Sequence, residues 1–500
     1  MIHISGTLIN ALQWIDNTVI ELIKIGIKNN QFELVGSTYA QNVMYSCDDW
    51  DNDIQISLHR DLLEYLFEVK PVTFWNPERC WRQDLAKILV KNGYKYSFIE
   101  DHILIDSGID PQIDYIFTEG LILFNDRKEF LHLTNEAIYS SNFNEVLSFI
   151  KKQKNIVLNY AEDAEIFGLW EYEGQQNFSL HSDPRKYWNN LDNFLNKLEE
   201  DPEIEITTFS NLVNHIPFSI EIPSLKDGQA TWMVRAIENP KLMYHESGFK
   251  DWFDFNKQSI DLKVFRKIFE HLRDALKILE TQINRKGLEP KIVPIAEKLF
   301  KHAKLIFSIH QYEFGCIGVV RIGDLQWEGV KFTSTLIYAT QIALIYPKTG
   351  LFITDLYKEE IPQMFFISNY QLYVLSPIGG KIMYWFDLTT GNELVGNECP
   401  SFFKCKQEYY LPTLEINIPK IKSTIKHKKV KFRFGRQTLN DLIFIDQELL
   451  TDVKLVNQDI ISGKVENQLS LQNVDILPEK KYSYKFYRNH SLSFEYSNKD

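Results

Sequence analysis

In the first two hundred residues, segments with the apolar spacing of a helix alternate with short apolar runs typical of buried strands. Stripes with three- and four-residue spacing predict helices near residues 19–27, 62–67 and 85–89. Short apolar runs predict buried strands, at residues 32–35, 72–75, 96–99, 121–124, 156–160 and 204–209. Because strands separated by helix-length segments pair in parallel, this pattern predicts an α/β fold, either a βα barrel or an open sheet.

The pattern changes twice along the rest of the chain. From about residue 262 to 307 it is purely helical, with a break near Pro290 and Pro294. Beyond Gly318 the helical signal fades, and turn residues at 347–350, 376–380 and 389–392 predict an antiparallel β domain. We therefore expect three domains: residues 1–235, a helical domain at 236–317, and a β domain at 318–500.

Composition narrows the choice of partners. The 500 residues are 44% hydrophobic and 24% charged, which is typical of a globular protein. The net charge of −12 disfavours nucleic acid as the main partner and fits either a neutral or cationic ligand or simple solubility. Five scattered cysteines, no signal-peptide pattern and no membrane-length apolar run predict a cytoplasmic protein. Oligomeric state is left open.

The first candidate for chemistry is a carboxylate just past a predicted strand. Glu78 lies in the segment Phe74-Trp75-Asn76-Pro77-Glu78-Arg79, and a second tryptophan, Trp81, follows closely. The neighbouring Arg79 is expected to favour the ionised form of this carboxylate. The alternative interpretation is a surface glutamate beside a proline that ends the strand.

A second acidic segment follows the predicted strand at residues 156–160. It contains Glu162, Asp163 and Glu165, and crowded like charges raise the pKa of at least one carboxyl. The alternative is the acidic first turn of a helix that begins near Ala164, with Asp163 as the N-cap. Paired carboxylates flanked by aromatic rings are what glycosidic-bond chemistry requires, so the two segments together predict that chemistry.

Three segments resemble conserved regions of one enzyme family. Residues 163–174, which read Asp-Ala-Glu-Ile-Phe-Gly-Leu-Trp-Glu-Tyr-Glu-Gly, resemble the fourth region of glycoside hydrolase family 57. Trp75-Asn76-Pro77-Glu78 is similar to its third region, and residues 31–36 resemble the second. The resemblance covers roughly residues 1–320. It implies an incomplete (β/α)7 barrel, then a helical segment and a C-terminal β-sandwich-like domain.

The same resemblance implies roles for individual residues. Glu78 would be the nucleophile and Asp163 the general acid/base of a retaining mechanism. The substrate class would be α-glucans, as in α-amylases, 4-α-glucanotransferases and branching enzymes. Expected contacts to sugar are Trp75, Trp81, Trp170, Tyr39, Gln41 and His310. Glu33, within a predicted strand, would brace the fold.

The sequence departs from the family pattern in three places. The His-Gln-Pro segment of the first strand is absent, and residues 1–7 look like the second strand, so an upstream strand and helix would be missing. Leu169 replaces the histidine of many branching enzymes. The fifth region is either the segment at His310 or the segment Lys250-Asp251-Trp252-Phe253.

Other chemistries find no support in the sequence. No two histidines are four residues apart, and the chain has no GxSxG, Walker A or GxGxxG motif, so neither metal nor nucleotide cofactor is expected. The leading hypothesis is a retaining α-glucan hydrolase or transglycosidase. The rival is a degenerate or truncated family member that binds glucan without turnover.

Overall fold

The chain divides into two compact units. The computed structural model describes residues 1–31, 33–153, 157–164, 185–212, 221–241, 245–317, 323–345, 349–356, 362–368, 370–376, 381–395, 448–457, 460–467, 480–486 and 492–498. The first unit combines Met1–Lys267 with Gln311–Ile322, and the second combines Ile268–His310 with Gly323–Asp500. Residues 236–317, expected to form a separate helical domain, thus contribute to both units.

The first unit alternates helices with short strands. Its helices are α1 (Gly6–Ile15), α2 (Thr18–Lys28), α3 (Asp49–Phe67), α4 (Asp84–Lys91), α5 (Asp101–Asp106), α6 (Lys128–Ser140), α7 (Asn144–Lys152), α8 (Arg185–Glu200), α9 (Phe209–Leu212), α10 (Thr231–Glu238) and α11 (Trp252–Gln258). Its strands are β1 (Ile2–His3), β2 (Leu34–Val35), β3 (Tyr96–Glu100), β4 (Tyr115–Thr118) and β5 (Leu121–Asp126). The predicted stripes at 19–27, 62–67 and 85–89 lie in α2, α3 and α4, so these helices are confirmed.

Five segments of the first unit lie side by side and run in the same direction. β1 pairs with β2, and β3 pairs with β5. Between these pairs, residues 73–74 form parallel bridges to Gly36 on one side and to Tyr96 on the other. β4 runs antiparallel to β5, which departs from a purely parallel arrangement. The α/β prediction is therefore confirmed, and the carboxyl ends of the parallel segments share one edge.

The core of the first unit explains why these segments lie side by side. Phe74, Ile99 and Leu123 come from three adjacent parallel segments and are buried in one cluster with Leu85 and Ile88 of α4. Complete burial of each such side chain contributes roughly 1.5–3 kcal/mol. The apolar face of α4 thus packs against one face of these parallel segments and shields it from solvent.

Two local features turn the chain back into this array. α4 ends at Asn92, and Gly93 has a φ of 88°, the left-handed value expected of a glycine after a helix. At Gly36, an added Cβ would lie 2.3 Å from the hydroxyl of Tyr94, so only glycine permits this close approach. The predicted helix end at Asn92-Gly93 is confirmed.

The predicted strand at residues 204–209 is wrong. Residues 204–208 form neither helix nor strand, and Ile206 is 58% exposed. Phe209 begins α9 and stacks on Phe124 with ring centroids 3.9 Å apart. Within this apolar run, Phe209 is therefore buried by its contact with Phe124, and no strand is needed to bury it.

The second unit contains helices followed by antiparallel sheets. α12 (Ile260–Ile283) begins in the first unit and ends in the second, which also contains α13 (Ile292–Ile309) and α14 (Gly323–Ile345). One sheet has the order β10-β9-β8-β7-β6, formed by β6 (Thr349–Thr354), β7 (Gln363–Ser368), β8 (Gln371–Ser376), β9 (Lys381–Asp387) and β10 (Asn392–Val395). The other is β11 (Glu448–Asn457), β12 (Ile460–Asn467), β13 (Lys480–Phe486) and β14 (Leu492–Asn498), in that order.

The C-terminal antiparallel structure is confirmed, but the expected loss of helix beyond Gly318 is wrong. α14 occupies residues 323–345 and is buried on several sides, including at the consecutive residues Lys331, Phe332 and Thr333. A helix buried nearly all round has no polar face, so its sequence lacks the periodicity that reveals amphipathic helices. Among the described residues, no helix is long and apolar enough to cross a membrane.

Candidate active site

Glu78 lies in a tight turn at the carboxyl edge of the parallel array. The backbone N–H of Trp75 donates to the Gly36 carbonyl at 2.7 Å, which anchors the segment to the neighbouring strand. After it, the Asn76 side-chain amide donates to the Cys80 carbonyl at 2.8 Å and closes the turn. Glu78 and Arg79 inside this turn both have left-handed backbones, with φ of 58° and 53°. Such strain at two consecutive residues other than glycine is characteristic of functional sites.

The Glu78 carboxyl is held by a tryptophan from a distant helix. Trp232 of α10 donates its indole N–H to Oε2 of Glu78 at 2.9 Å. Burial, followed by the charges of Glu313 and Asp163, raises the pKa of Glu78 from 4.5 to about 8. The indole hydrogen bond and the Arg79 charge oppose this shift but do not cancel it. Arg79 therefore favours the ionised form as expected, but burial outweighs the nearby cation.

Glu313 comes from the turn that follows α13. Its φ is 45°, and its backbone N–H donates to the Gln41 carbonyl at 3.2 Å. Gly315, two residues on, has a φ of 99°, and an added Cβ would lie 2.0 Å from the Ser46 hydroxyl. The indole N–H of Trp252 donates to the Gly315 carbonyl at 3.0 Å. These contacts fix the turn that brings a third carboxylate near Glu78.

Asp163 lies at the end of residues 157–163, which run beside β5 but form neither helix nor strand, so the strand predicted at residues 156–160 is wrong over its described residues. The Asn159 side chain donates to the Asn125 carbonyl at 2.7 Å, which aligns this segment with β5. Asn135 of α6 accepts from the Tyr160 hydroxyl at 2.6 Å and donates to Glu162 at 2.8 Å. Burial raises the pKa of Glu162, whereas the Asp163 side chain is exposed. The predicted helix beginning near Ala164 lies outside the described residues.

Arg79 connects the segments that carry these acids. Its guanidinium contacts Asp126 at 2.9 Å and Glu100 at 3.4 Å, and it donates to the Ala161 carbonyl at 3.1 Å. Glu100 and Asp126 are register partners at the carboxyl ends of β3 and β5. Burial raises the pKa of Asp126 to about 7, although Arg79 opposes that shift. Among the described residues, no group of His, Cys, Asp and Glu is arranged to hold a metal ion.

The predicted sugar contacts separate into accessible and buried residues. Trp75 is half-buried and stacks on His3 with ring centroids 6.1 Å apart. Trp81 is 1% exposed and Tyr39 is 3% exposed, with its hydroxyl accepting from Asn10. This burial corrects the expectation for Trp81 and Tyr39, because neither ring presents a face on which a sugar could stack. Trp170 lies outside the described residues.

The remaining predicted positions have backbone or capping roles in the structure. Gln41 has a left-handed backbone, and its carbonyl receives the Glu313 N–H. His310 is the C-cap of α13 and donates from Nδ1 to the Ile306 carbonyl at 2.8 Å. Asp251, in the alternative fifth region, is the N-cap of α11. Of the His310 segment, Glu313 is therefore the residue whose charge reaches Glu78.

Glu33 forms the bracing contacts expected of it. One of its oxygens accepts from the hydroxyls of Thr73 and Ser210, each at 2.9 Å. Sequence reasoning missed Trp232, Glu100 and Asp126. The acidic ends of two predicted strands were a usable signal for Glu100 and Asp126, whereas nothing local marks Trp232, which lies 154 residues from Glu78.

Comparison with known proteins identifies relatives of the N-terminal part. Residues 1–223 match the family model described as glycosyl hydrolase family 57. An alpha-amylase of Pyrococcus horikoshii is 22% identical over 220 residues, which are 43% of this chain and 33% of that protein. A 4-alpha-glucanotransferase of Thermococcus litoralis is 24% identical over 179 residues, 34% of this chain and 26% of that protein. The matched segments thus span about a third or less of these relatives.

Solved structures give matches at 13% identity. The crystal structure of the Thermococcus litoralis 4-alpha-glucanotransferase matches with a TM-score of 0.44, covering 99% of this chain and 77% of that one. The alpha-amylase AmyC of Thermotoga maritima matches with a TM-score of 0.48, covering 68% of this chain and 74% of that one.

Proposed function

We propose that this chain, whose residues 1–223 match the model of glycosyl hydrolase family 57, is a member of that family and a retaining enzyme that hydrolyses or transfers α-glucan segments. The observation that carries the proposal is that Arg79, next to Glu78, donates to the carbonyl of Ala161, two residues before Asp163, at one edge of the parallel array. These two carboxylates come from segments about eighty residues apart in sequence, and each segment resembles a conserved region of the family. The names of the relatives, alpha-amylase and 4-alpha-glucanotransferase, support α-glucan as the substrate class.

The proposed reaction has two steps. Glu78 attacks the anomeric carbon while Asp163 donates a proton to the departing glycosidic oxygen, which produces a glycosyl ester on Glu78. Asp163, now ionised, takes a proton from water or from a sugar hydroxyl as that oxygen attacks the anomeric carbon, and the ester bond breaks to release Glu78 as a carboxylate. Water gives hydrolysis and a sugar gives transfer, and Asp163 regains its proton in either case.

The environment of Glu78 decides when the first step is possible. A nucleophilic carboxylate must be ionised, but the pKa of Glu78 is raised to about 8. Trp232 leaves Oε1 available for attack because it bonds Oε2. The role of Trp232 is then to favour the ionised form and to orient it.

The pH profile distinguishes the two possible assignments of roles. α-Maltosyl fluoride is the substrate for this test, because its fluoride leaves without a proton from a general acid. If Glu78 is the nucleophile, kcat/KM on this substrate rises with pH through about 8, because the protonated form cannot attack. If Glu78 were instead the general acid, kcat/KM on this substrate would not rise across the same range. A flat or falling profile would refute the proposed assignment.

The raised pKa of Glu78 also favours the second candidate function, binding of glucan without turnover. A carboxyl that is mostly protonated at neutral pH is a weak nucleophile, and a sugar-binding site can retain it as a hydrogen-bond donor. Calorimetry with maltoheptaose at neutral pH, combined with product analysis over days, separates the two functions. Binding without product would support the second.

The direct test is activity on maltooligosaccharides. Glu78→Gln and Asp163→Asn should each abolish product formation while leaving the protein folded. The matched control is Glu68→Gln, because Glu68 is an exposed glutamate that also has a left-handed backbone, with a φ of 57°. The control should retain wild-type activity. NMR of the first-formed product should show the α anomer, and the β anomer would contradict retention.

A further inference from the structure

Arg79 makes contacts that no other described residue of the site combines. One guanidinium nitrogen, Nη1, contacts Asp126 at 2.9 Å and Glu100 at 3.4 Å, at the ends of β5 and β3. The other, Nη2, donates to the carbonyl of Ala161 at 3.1 Å. The guanidinium also lies over the Trp75 ring, 5.1 Å from its centroid. A single side chain therefore joins the Glu78 turn to the strand ends and to the segment that precedes Asp163.

This geometry requires arginine rather than any cation. A planar guanidinium directs two nitrogens toward different partners at once, whereas a lysine ammonium is a point charge. The backbone of Arg79 is left-handed, as is that of Glu78, so the turn is held in a strained form. The side chain is 16% exposed and Asp126 is 2% exposed, so the pair is shielded from solvent. The contacts of Arg79 are thus suited to hold that turn in place.

We propose that Arg79 is a positioning residue that fixes the segment carrying Asp163 relative to the turn carrying Glu78. The inference rests on the proposed function, because it assigns Arg79 the task of aligning the acid/base with the nucleophile. Arg79 touches neither reacting oxygen of that pair. It acts through the Ala161 carbonyl on one side and through its own backbone on the other.

The test compares two substrates that differ in their need for an acid. A maltooligosaccharide requires Asp163 to protonate the leaving oxygen. With α-maltosyl fluoride, Glu78 attacks the anomeric carbon and the carbon–fluorine bond breaks, so fluoride departs with the electron pair and needs no proton. If Arg79 aligns Asp163, its loss should affect the first substrate far more than the second.

The variants are Arg79→Lys and Arg79→Gln, with Arg82→Lys as the matched control. Arg82 lies in the same segment and likewise contacts two carboxylates, Asp49 and Asp84, and a backbone carbonyl, that of Cys47. Arg79→Lys should lower kcat on maltoheptaose by about 100-fold, within the usual contribution of a general acid, with little change in KM. First-turnover fluoride release should fall less than about threefold, as in Asp163→Asn. Arg82→Lys should resemble the wild type with both substrates.

Each other outcome has a defined meaning. Equal losses on both substrates would overturn the inference, because a general loss of structure lowers both rates. Wild-type rates in both Arg79 variants would overturn it as well. Arg79→Gln repeats the comparison without the charge, so it tests the bridge if the lysine variant unfolds. A wild type that is inactive on both substrates would refute the proposed function and, with it, the inference. If the wild type is active, the proposed function stands, and the Arg79 variants test the inference by itself.

Discussion

Replacement of Glu78 by glutamine should stabilise the protein at high pH while abolishing activity. The pKa of Glu78 is raised from 4.5 to about 8, so folding disfavours its ionised form. A shift of that size corresponds to about 5 kcal/mol once the carboxyl is fully ionised. Because the side chain is half-buried, screening by solvent reduces the expected gain to about 2–3 kcal/mol. Glutamine keeps the acceptor oxygen for Trp232 and carries no charge.

The sign of the pH dependence follows from the direction of the shift. Below the ordinary pKa of 4.5, Glu78 is protonated in both folded and unfolded protein, and the variant should match the wild type. As pH rises toward about 8, the unfolded chain releases this proton first, so the wild type loses stability. The variant lacks that loss. Asp126, whose pKa is raised to about 7, acts with the same sign in both proteins and cancels in the difference.

The assay is urea denaturation followed by tryptophan fluorescence at about pH 4 and about pH 9. The variant should gain about 2–3 kcal/mol over the wild type at the higher pH only. Glu68→Gln is the control, since Glu68 also has a left-handed backbone but is exposed at the end of α3. It should show no pH-dependent difference. A variant that is less stable than the wild type at about pH 9, or equally shifted at both pH values, would refute the reasoning.

Three further substitutions test separate contacts. Trp232→Phe removes the hydrogen bond that favours ionised Glu78, so the rising limb of kcat/KM should move to higher pH, and an unmoved limb would contradict this role. Gly36→Ala places a methyl group 2.3 Å from the Tyr94 hydroxyl and should cost about 1–3 kcal/mol of unfolding free energy, measured by urea titration. His59→Leu leaves two buried backbone partners unpaired and should lower that free energy by about 2–5 kcal/mol, whereas a neutral result would show that the backbone rearranges.

The local sequence pattern was sufficient to predict elements that bury one face and expose the other. The stripe of α2 and the Asn92-Gly93 end of α4 are both visible in the sequence, because an amphipathic helix exposes one face to water. The same reasoning failed for α14, which is buried on several sides. It failed again at residues 204–209, where the contact of Phe209 with Phe124 determines the local structure. Periodicity reports contact with solvent, so it cannot identify an element whose surroundings are other protein segments.

The two candidate carboxylates were predictable for a related reason. Glu78 and Asp163 follow apolar runs directly, and short motifs around them resemble conserved regions of a family. Trp232 and Glu313 could not be assigned to the site in this way, because their contacts cross long stretches of chain. The sugar contacts expected of Trp81 and Tyr39 also failed, because the sequence shows that a ring is present but not whether the fold buries it.

The sequence alone thus determined which segments end in carboxylates and predicted the parallel array that lies behind them. Tertiary structure decided the protonation of Glu78. Burial and the charge of Glu313 make Glu78 hold its proton, against the effect of adjacent Arg79, whose guanidinium pairs with Asp126. The physical reason is that element type depends on neighbours a few residues away, whereas a pKa depends on solvent exclusion and on charges that only the folded chain brings together.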